Sequence, residues 1–211
     1  MDFPDFFDKA PVVSLRDPLA VFLGASGSGK FTYSYADAVK LAGHSCPTVA
    51  GAYLMVRQGL GELYGEETPE RGGVEVYMRG GRAEGTTGVI AAVATLLTGA
   101  APETGFGGIG SDRRFVRRGL LRFDTAIDGL MALRRPDTGR GVLLDLDTSV
   151  VPPSPQMVML FPKAVADTAG DNELAQFATL WQERVALMLL EHADDPNLIH
   201  TRNWEAAEPL E

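Results

Sequence analysis

Apolar residues recur along the chain at two spacings, one typical of helices and one typical of strands. Helical spacing is clearest in residues 46–65 and 171–191, which predicts two amphipathic helices. The apolar stripe of the second helix consists of Leu174, Phe177, Trp181, Val185 and Met188. Residues 85–99 are almost entirely apolar and predict a buried helix. A shorter helix is predicted over residues 34–43, where a capping serine, an aspartate three positions later and a final glycine mark both ends.

The strand signals are shorter runs of apolar, aromatic and β-branched residues that are bounded by turns. They fall at residues 18–24, 30–35, 73–80, 119–135 and 140–147. A Pro-Asp-Thr-Gly turn at residues 136–139 joins the last two runs. Helices and strands do not alternate in regular βαβ units. We therefore predict an α+β fold with a mainly antiparallel sheet packed with helices.

The chain length of 211 residues is enough for one domain with a sizeable core. A proline-rich stretch at residues 150–157 predicts a connector. We accordingly divide the chain into two parts. Residues 1–150 form the main α+β domain, and residues 151–211 hold the connector and the C-terminal amphipathic helix, which we expect to pack on the same domain.

Charge and cysteine content narrow the classes of partner. The net charge is −9, from 19 basic and 28 acidic residues, and non-specific nucleic-acid binding needs a basic surface instead. Cys46 is the single cysteine, so no disulfide can form within the chain, which favours a reducing compartment. The N-terminal residues lack the pattern of a signal peptide, and no apolar run is long enough to cross a membrane. We expect a cytoplasmic protein with no nucleic-acid or membrane partner.

Two glycine-rich stretches match nucleotide-binding motifs by spacing alone. "GASGSGK", residues 24–30, has the spacing of a phosphate loop, but Phe31 stands where a magnesium-binding Ser or Thr is required. "GFGGIG", residues 105–110, fits a dinucleotide-binding pattern but follows a loop instead of a strand. We predict a hairpin turn for the first stretch. For the second we predict a flexible loop that lets the backbone approach another group closely.

Five arginines follow the second glycine-rich stretch in an otherwise acidic chain. They are Arg113, Arg114, Arg117, Arg118 and Arg122. Arginine pairs bind carboxylates and phosphates, so a site for an anionic ligand is one interpretation. A solvated face, or salt bridges between subunits, is the other. Tyr33 and Tyr35 are predicted to lie on one face of a strand, where they either pack in the sheet or orient a ligand.

The sharpest chemical signal is "GHSCP", residues 43–47. Cys46 directly precedes Pro47, which suits the first position of the predicted helix, and a helix N-terminus stabilises a thiolate. His44, two residues earlier, supplies a second donor. The pair suits zinc or another late transition metal such as nickel or iron, and it equally suits a cysteine nucleophile with a neighbouring base. A buried structural cysteine beside an ordinary histidine is the third interpretation.

The stretch "YSYADAVKLAGHSCPTVAGAYL", residues 33–54, resembles the N-terminal signature of the FmdE-like family, which is named after one of the subunits of formylmethanofuran dehydrogenase. The later "LLTGAAPETGFGGIG", residues 96–110, is similar to that family's threonine-glycine turn and glycine-rich loop. The resemblance covers about residues 33–123. It implies a metal-binding α+β domain with His44 and Cys46 as ligands, often of zinc.

The chain departs from the family pattern in two places. Many members carry a C-terminal zinc ribbon of cysteines, and this chain has none. Members usually also have a cysteine at the start of the helix that precedes the threonine-glycine turn, and residues 84–99 contain none. Glu84, at the start of that helix, is our hypothesis for a third ligand. An ordinary acidic residue near a helix N-terminus is the alternative.

These observations lead to a metal-binding protein in which His44, Cys46 and Glu84 or water surround the ion and leave room for a small anionic ligand. No general base stands out, so the sequence leaves open whether the protein is an enzyme. One alternative is an accessory protein that delivers a metal or cofactor to a redox enzyme. Another is a metal-free enzyme with Cys46 as its nucleophile. The resemblance also implies a homodimer.

Overall fold

The computed structural model describes residues 2–205 of the chain. Within that span it has six α-helices: α1 Pro18–Phe22, α2 Tyr35–Ala42, α3 Pro47–Tyr64, α4 Thr87–Thr98, α5 Pro155–Val165 and α6 Asp171–Leu190. The same residues form seven strands: β1 Val13–Arg16, β2 Lys30–Tyr33, β3 Glu75–Met78, β4 Leu121–Arg122, β5 Met131–Arg134, β6 Gly141–Leu146 and β7 Ile199–Trp204. No helix among these residues is both long and apolar enough to cross a membrane.

The strands form two sheets. The larger has the order β4-β3-β5-β6-β7, and β1 pairs with β2 in the smaller. Only the short pairing of β3 with β4 is parallel; all the others are antiparallel. The predicted α+β fold with a mainly antiparallel sheet is therefore confirmed. The turn predicted at residues 136–139 indeed joins β5 to β6, with Met131 opposite Leu144 in the register.

The helices α3 and α4 cover one face of the larger sheet, and the main core lies between these two layers. α3 approaches the sheet closely because it places glycines against leucine side chains. A Cβ atom at Gly51 would lie 2.3 Å from Leu146 Cδ2, and one at Gly59 would lie 2.7 Å from Leu133 Cδ1. The opposite face of the sheet carries a smaller apolar cluster of Tyr77, Ile127, Ala132 and Leu143.

Residues 18–24 are wrongly predicted as a strand, since Pro18–Phe22 form the helix α1. The reason is local: Pro18 takes the first helical position, and the Asp17 carboxylate accepts a hydrogen bond from the Leu19 N–H at 2.9 Å. The glycine- and serine-rich stretch that follows connects α1 to β2, so it is not a tight hairpin turn.

The prediction that Tyr33 and Tyr35 share one strand face is also wrong. β2 ends at Tyr33, and Tyr35 begins α2. Ser34 lies between them as the N-cap, and its N–H donates to Asp37 Oδ2 at 2.9 Å. This reciprocal capping starts a helix where strand alternation would otherwise have continued, and Tyr35 becomes fully buried.

The C-terminal part of the chain adds to the main layers. α6 packs against α3, and β7 pairs with β6 at the edge of the larger sheet. The predicted helix over residues 171–191 is confirmed, whereas part of the predicted connector is the start of α5, with Pro155 in its first turn. The division of the chain at residue 150 stays a prediction, and residues 206–211 of its second part lie outside the described residues.

Candidate functional site

The segment His44-Ser45-Cys46 forms the tight connection between α2 and α3. Gly43 ends α2 in the left-handed conformation, with φ of 75°. Cys46 is the N-cap of α3 with an extended backbone, and Pro47 follows in the first turn. Local sequence signals at both helix ends therefore fix where His44 and Cys46 lie.

The two side chains meet in this connection. Cys46 Sγ lies 3.3 Å from His44 Nε2. His44 Nδ1 lies 3.0 Å from the Ala42 carbonyl oxygen, and because a carbonyl only accepts hydrogen bonds, Nδ1 carries the proton. In the neutral ring, Nε2 then turns its lone pair towards the sulfur. The Val49 N–H of the first turn of α3 donates to Sγ at 3.4 Å.

Ser45, between the two donors, is held from two other helices. Its hydroxyl is hydrogen bonded to the hydroxyl of Tyr35 in α2, at 2.9 Å. Its carbonyl oxygen accepts hydrogen bonds from Trp181 Nε1 at 2.9 Å and from Gln182 Nε2 at 3.2 Å, both in α6. The connection is thus tied to α2 and to α6, which restricts the motion of His44 and Cys46 on either side of Ser45.

These supporting residues carry no clear sign of their role in the sequence. Helical spacing puts Trp181 on the apolar face of the C-terminal helix, and nothing in that spacing indicates which carbonyl its indole N–H binds. The alternating pattern around Tyr35 predicted a strand residue and did not indicate its hydrogen bond with Ser45. Burial raises the pKa of the Tyr35 hydroxyl well above its usual range, so this group stays a neutral hydrogen-bonding partner of Ser45.

An apolar cleft of about 490 Å³ is lined in part by the α6 residues that bind Ser45. Its lining consists of Phe161, Ala164, Val165, Leu174, Phe177, Ala178, Trp181 and Gln182. Trp181 and Gln182 therefore face the cleft and also bind the carbonyl oxygen of Ser45. No charged side chain belongs to this lining. The cleft suits an apolar group better than an ionic one.

Glu84 does not join the pair. Its side chain is exposed and accepts a hydrogen bond from the Gly81 N–H of its own loop, at 2.9 Å. Within residues 2–205, no group of three or more His, Cys, Asp and Glu side chains is arranged to hold a metal ion. Of the other histidines, His192 is bound to Asp195 at 2.7 Å, and His200 lies exposed on β7.

The His44–Cys46 pair itself fits two positions of a metal site. Sulfur at about 2.3 Å and nitrogen at about 2.0 Å from a tetrahedral zinc ion lie roughly 3.5 Å apart. The 3.3 Å between Sγ and Nε2 is close to that separation. The hydrogen bond from Nδ1 to a backbone carbonyl is also the usual outer contact of a metal-binding histidine. The pair thus fits a late transition metal with further positions left open.

No family model and no curated protein matches the chain. Among solved structures, it is similar to a tungsten formylmethanofuran dehydrogenase FmdE-like protein from Syntrophus aciditrophicus. The two share 20% identity, and the match covers 82% of this chain and 73% of that chain with a TM-score of 0.44. That protein bears the name of the family that residues 33–123 resemble.

Proposed function

We propose that this chain is an FmdE-like metal-binding protein in which His44 and Cys46 hold a late transition metal, with zinc first and nickel or iron next. The observation that carries the proposal is the 3.3 Å approach of Nε2 to Sγ, with Nδ1 already bonded to Ala42. Imidazole and thiolate are the ligand types that zinc prefers. Two protein ligands leave positions for water or a small anionic ligand.

The chain's own residues prepare these donors. The Ala42 carbonyl holds the tautomer in which Nε2 is free to bind. The Val49 N–H of the first turn of α3 donates a hydrogen bond to Sγ and helps to hold the sulfur in position. Trp181, Gln182 and Tyr35 keep Ser45 in place. A metal bound there would supply a Lewis acid. The protein is an enzyme if that metal acts on a substrate, and a delivery protein if the metal is passed to a partner.

The decisive experiment is element-resolved metal analysis of untagged protein with three variants. We expect about one equivalent of metal in the wild type and its loss in both His44→Ala and Cys46→Ser. His200→Ala is the matched control, because His200 is an exposed histidine on β7, and it should keep the metal. A wild type that stays metal-free after reconstitution, or a His44→Ala variant that retains full occupancy, contradicts the proposal.

Glu84 is tested in the same series. It stays our hypothesis for a third ligand, although the proposal above rests on the pair alone because Glu84 forms no group of three with it. If Glu84 contributes, Glu84→Ala should weaken metal affinity in a competition with a chelator. Unchanged occupancy and affinity would remove Glu84 from the site.

The second candidate is a metal-free enzyme with Cys46 as nucleophile. It is favoured by the approach of both His44 Nε2 and the Val49 N–H to the sulfur, which is the arrangement of a thiol beside its base. The test is the rate of Cys46 alkylation by iodoacetamide. A rate that falls in His44→Ala and is unaffected by added zinc favours the nucleophile. A rate that zinc suppresses favours the metal site.

The resemblance to the family also carries proposals about assembly. We propose a cytoplasmic homodimer that acts alone or delivers its metal to a redox enzyme. A delivery protein should pass its metal to an acceptor chelator within minutes and show no turnover, whereas a resident catalytic metal should stay bound. Light scattering coupled to size exclusion gives the mass: twice the 22.6 kDa of one chain is expected, and a single-chain mass contradicts the dimer.

A further inference from the structure

The glycine-rich residues 105–110 fold back onto the arginine-rich segment that follows them. The Phe106 carbonyl oxygen accepts hydrogen bonds from the N–H groups of Arg117 and Arg118, at 2.9 and 3.0 Å. Ile109 and Arg114 pair as an isolated antiparallel bridge. Glycine is required at Gly108, where φ is 88° and a Cβ atom would lie 2.4 Å from the Arg113 carbonyl oxygen. The glycines thus let the backbone approach closely, as predicted.

The five arginines of this region have different partners. Arg117 is buried and pairs with Asp17 at 2.7 Å, and Arg122 lies 3.8 Å from Glu75. The other three, Arg113, Arg114 and Arg118, form no ion pair with any side chain in residues 2–205. Arg114 instead lies over the rings of Phe22 and Phe115.

Arg113 and Arg118 both contact the backbone of the glycine-rich stretch close to Gly107. Arg113 Nε donates to the Gly107 carbonyl oxygen at 3.2 Å. Arg118 Nε donates to the Gly105 carbonyl oxygen at 3.1 Å, and its Nη2 lies 3.5 Å from the place that a Cβ atom of Gly107 would take. Each guanidinium group therefore uses Nε for a backbone carbonyl and keeps its two Nη groups for another acceptor.

Arg113 and Arg118 are exposed cations on the same stretch of backbone, and neither is paired with a carboxylate, so together they form a positively charged surface that attracts an anion. The chain as a whole carries a net charge of −9, so this local positive charge contrasts with the rest of the molecule. Phe106, beside Gly107, is 43% exposed and adds an aromatic surface next to the two cations. A planar guanidinium group binds a phosphate through two parallel N–H···O hydrogen bonds.

We propose that Arg113 and Arg118, around Gly107, bind the phosphate group of a small molecule. This site is separate from the His44–Cys46 pair and shares no residue with it. A nucleic acid is the less suitable source of the phosphate, because the acidic surface of the remaining chain opposes a polyanion. The glycine-rich stretch thus contributes the backbone carbonyls that hold both arginines, and it needs no dinucleotide-binding βαβ unit.

The test is calorimetric titration of the full chain with pyrophosphate and with inorganic phosphate at low salt. We expect a dissociation constant on the order of 1 mM or below for pyrophosphate. The double variant Arg113→Gln/Arg118→Gln should weaken it at least about tenfold. Arg202→Gln is the matched control, because Arg202 is an exposed arginine that pairs with Asp128 and Asp145, and its affinity should stay within about twofold of wild type.

Further titrations test which anion is preferred and at which of the two candidate sites it binds. Citrate should bind more weakly than pyrophosphate if phosphate is the preferred group, and equal binding would overturn that assignment. Pyrophosphate affinity that is the same in the wild type and the double variant would overturn the site. In Cys46→Ser the affinity should be unchanged, whereas its loss would place the anion at the pair instead. A short duplex DNA that binds more tightly than pyrophosphate would overturn the small-molecule assignment.

Discussion

Ser45 lies between His44 and Cys46 and ties the candidate site to two other parts of the chain. Its hydroxyl is fixed by Tyr35 and its carbonyl by Trp181 and Gln182, so its two neighbours gain fixed positions. Donors held in this way lose little conformational entropy when they bind an ion. The positions of His44 and Cys46 therefore depend on residues outside the pair.

Tyr35→Phe tests this support through its dependence on pH. Burial raises the pKa of Tyr35 above the value of about 10 for an exposed tyrosine, so above pH 10 the unfolded chain loses a proton that the folded chain keeps. The contribution of Tyr35 to stability is therefore fully present below about pH 10 and falls as the pH rises further. We expect Tyr35→Phe to lose about 1 kcal/mol near neutral pH, because its hydrogen bond with Ser45 is removed.

Urea unfolding at about pH 8 and at about pH 11 gives the comparison. The wild type should lose more stability between these two values than Tyr35→Phe does, by up to about 1.4 kcal/mol per pH unit above 10. Tyr53→Phe is a useful second variant, since burial raises the pKa of Tyr53 as well. An identical loss in the wild type and Tyr35→Phe would contradict the account.

At the scale of elements, the helix α3 links the site to the sheet. Its N-terminus carries Cys46, and its middle approaches β6 through Gly51. We expect Gly51→Ala to destabilise the protein by about 1–3 kcal/mol, because the new Cβ atom would lie 2.3 Å from Leu146 Cδ2. Gly61→Ala, in the same helix but facing open space, should be neutral or stabilise by up to about 1 kcal/mol. Chemical denaturation measures both, and equal effects would rule out close packing as the cause.

The helix α6 is connected to the candidate site by the hydrogen bond from Trp181 to Ser45. We expect Trp181→Phe to keep the stacking with Phe161 but to lose the hydrogen bond to Ser45, which loosens the connection between α2 and α3. Amide hydrogen exchange of residues 44–46 should accelerate by about tenfold or less, in line with one lost hydrogen bond. Trp204→Phe is the control, because Trp204 packs on Tyr77 at the opposite face of the sheet. Unchanged exchange in Trp181→Phe would show that the indole is dispensable.

The sequence predicted those features of the fold that depend on neighbouring residues. The capping serine of α2, the glycine at its end and Pro47 predicted the helix boundaries and placed Cys46 at a helix N-terminus. The same rules apply at Asp17 and Pro18, but there five apolar residues suggested a strand. The contact of Trp181 with Ser45 joins residues 136 positions apart, and no periodicity or spacing encodes such a pair. The third ligand remained open for the same reason.

At the scale of the whole molecule, one buried carboxylate connects distant parts of the chain. Asp17 pairs with Arg117 at 2.7 Å and with Arg71 at 3.1 Å, and both Asp17 and Arg117 are only 6% exposed. These residues join the end of β1 to the segment before β3 and to the arginine-rich loop. The proposed phosphate site is therefore anchored to the smaller sheet through its neighbour Arg117.

Asp17→Asn should be strongly destabilising, by about 3–5 kcal/mol, because it leaves the buried Arg117 without its counter-charge. Asparagine remains a good N-cap for α1, so the change isolates the charge. Asp128→Asn removes an exposed carboxylate, with 92% of its side chain accessible, from its pair with Arg202 and should cost less than about 1 kcal/mol. Thermal unfolding compares the two, and a loss for Asp17→Asn no larger than that for Asp128→Asn would contradict a structural role for the cluster.

The hydrogen bonds from α6 to Ser45 also impose an order in time. A ribosome adds about 5–20 residues per second, so the 136 positions between Ser45 and Trp181 correspond to roughly ten seconds of synthesis. During that interval the nascent chain already contains His44 and Cys46, while the indole and amide that fix Ser45 do not yet exist. Until α6 has been made, the connection keeps only its local contacts with Ala42, Val49 and Tyr35, so its final rigidity comes late in synthesis.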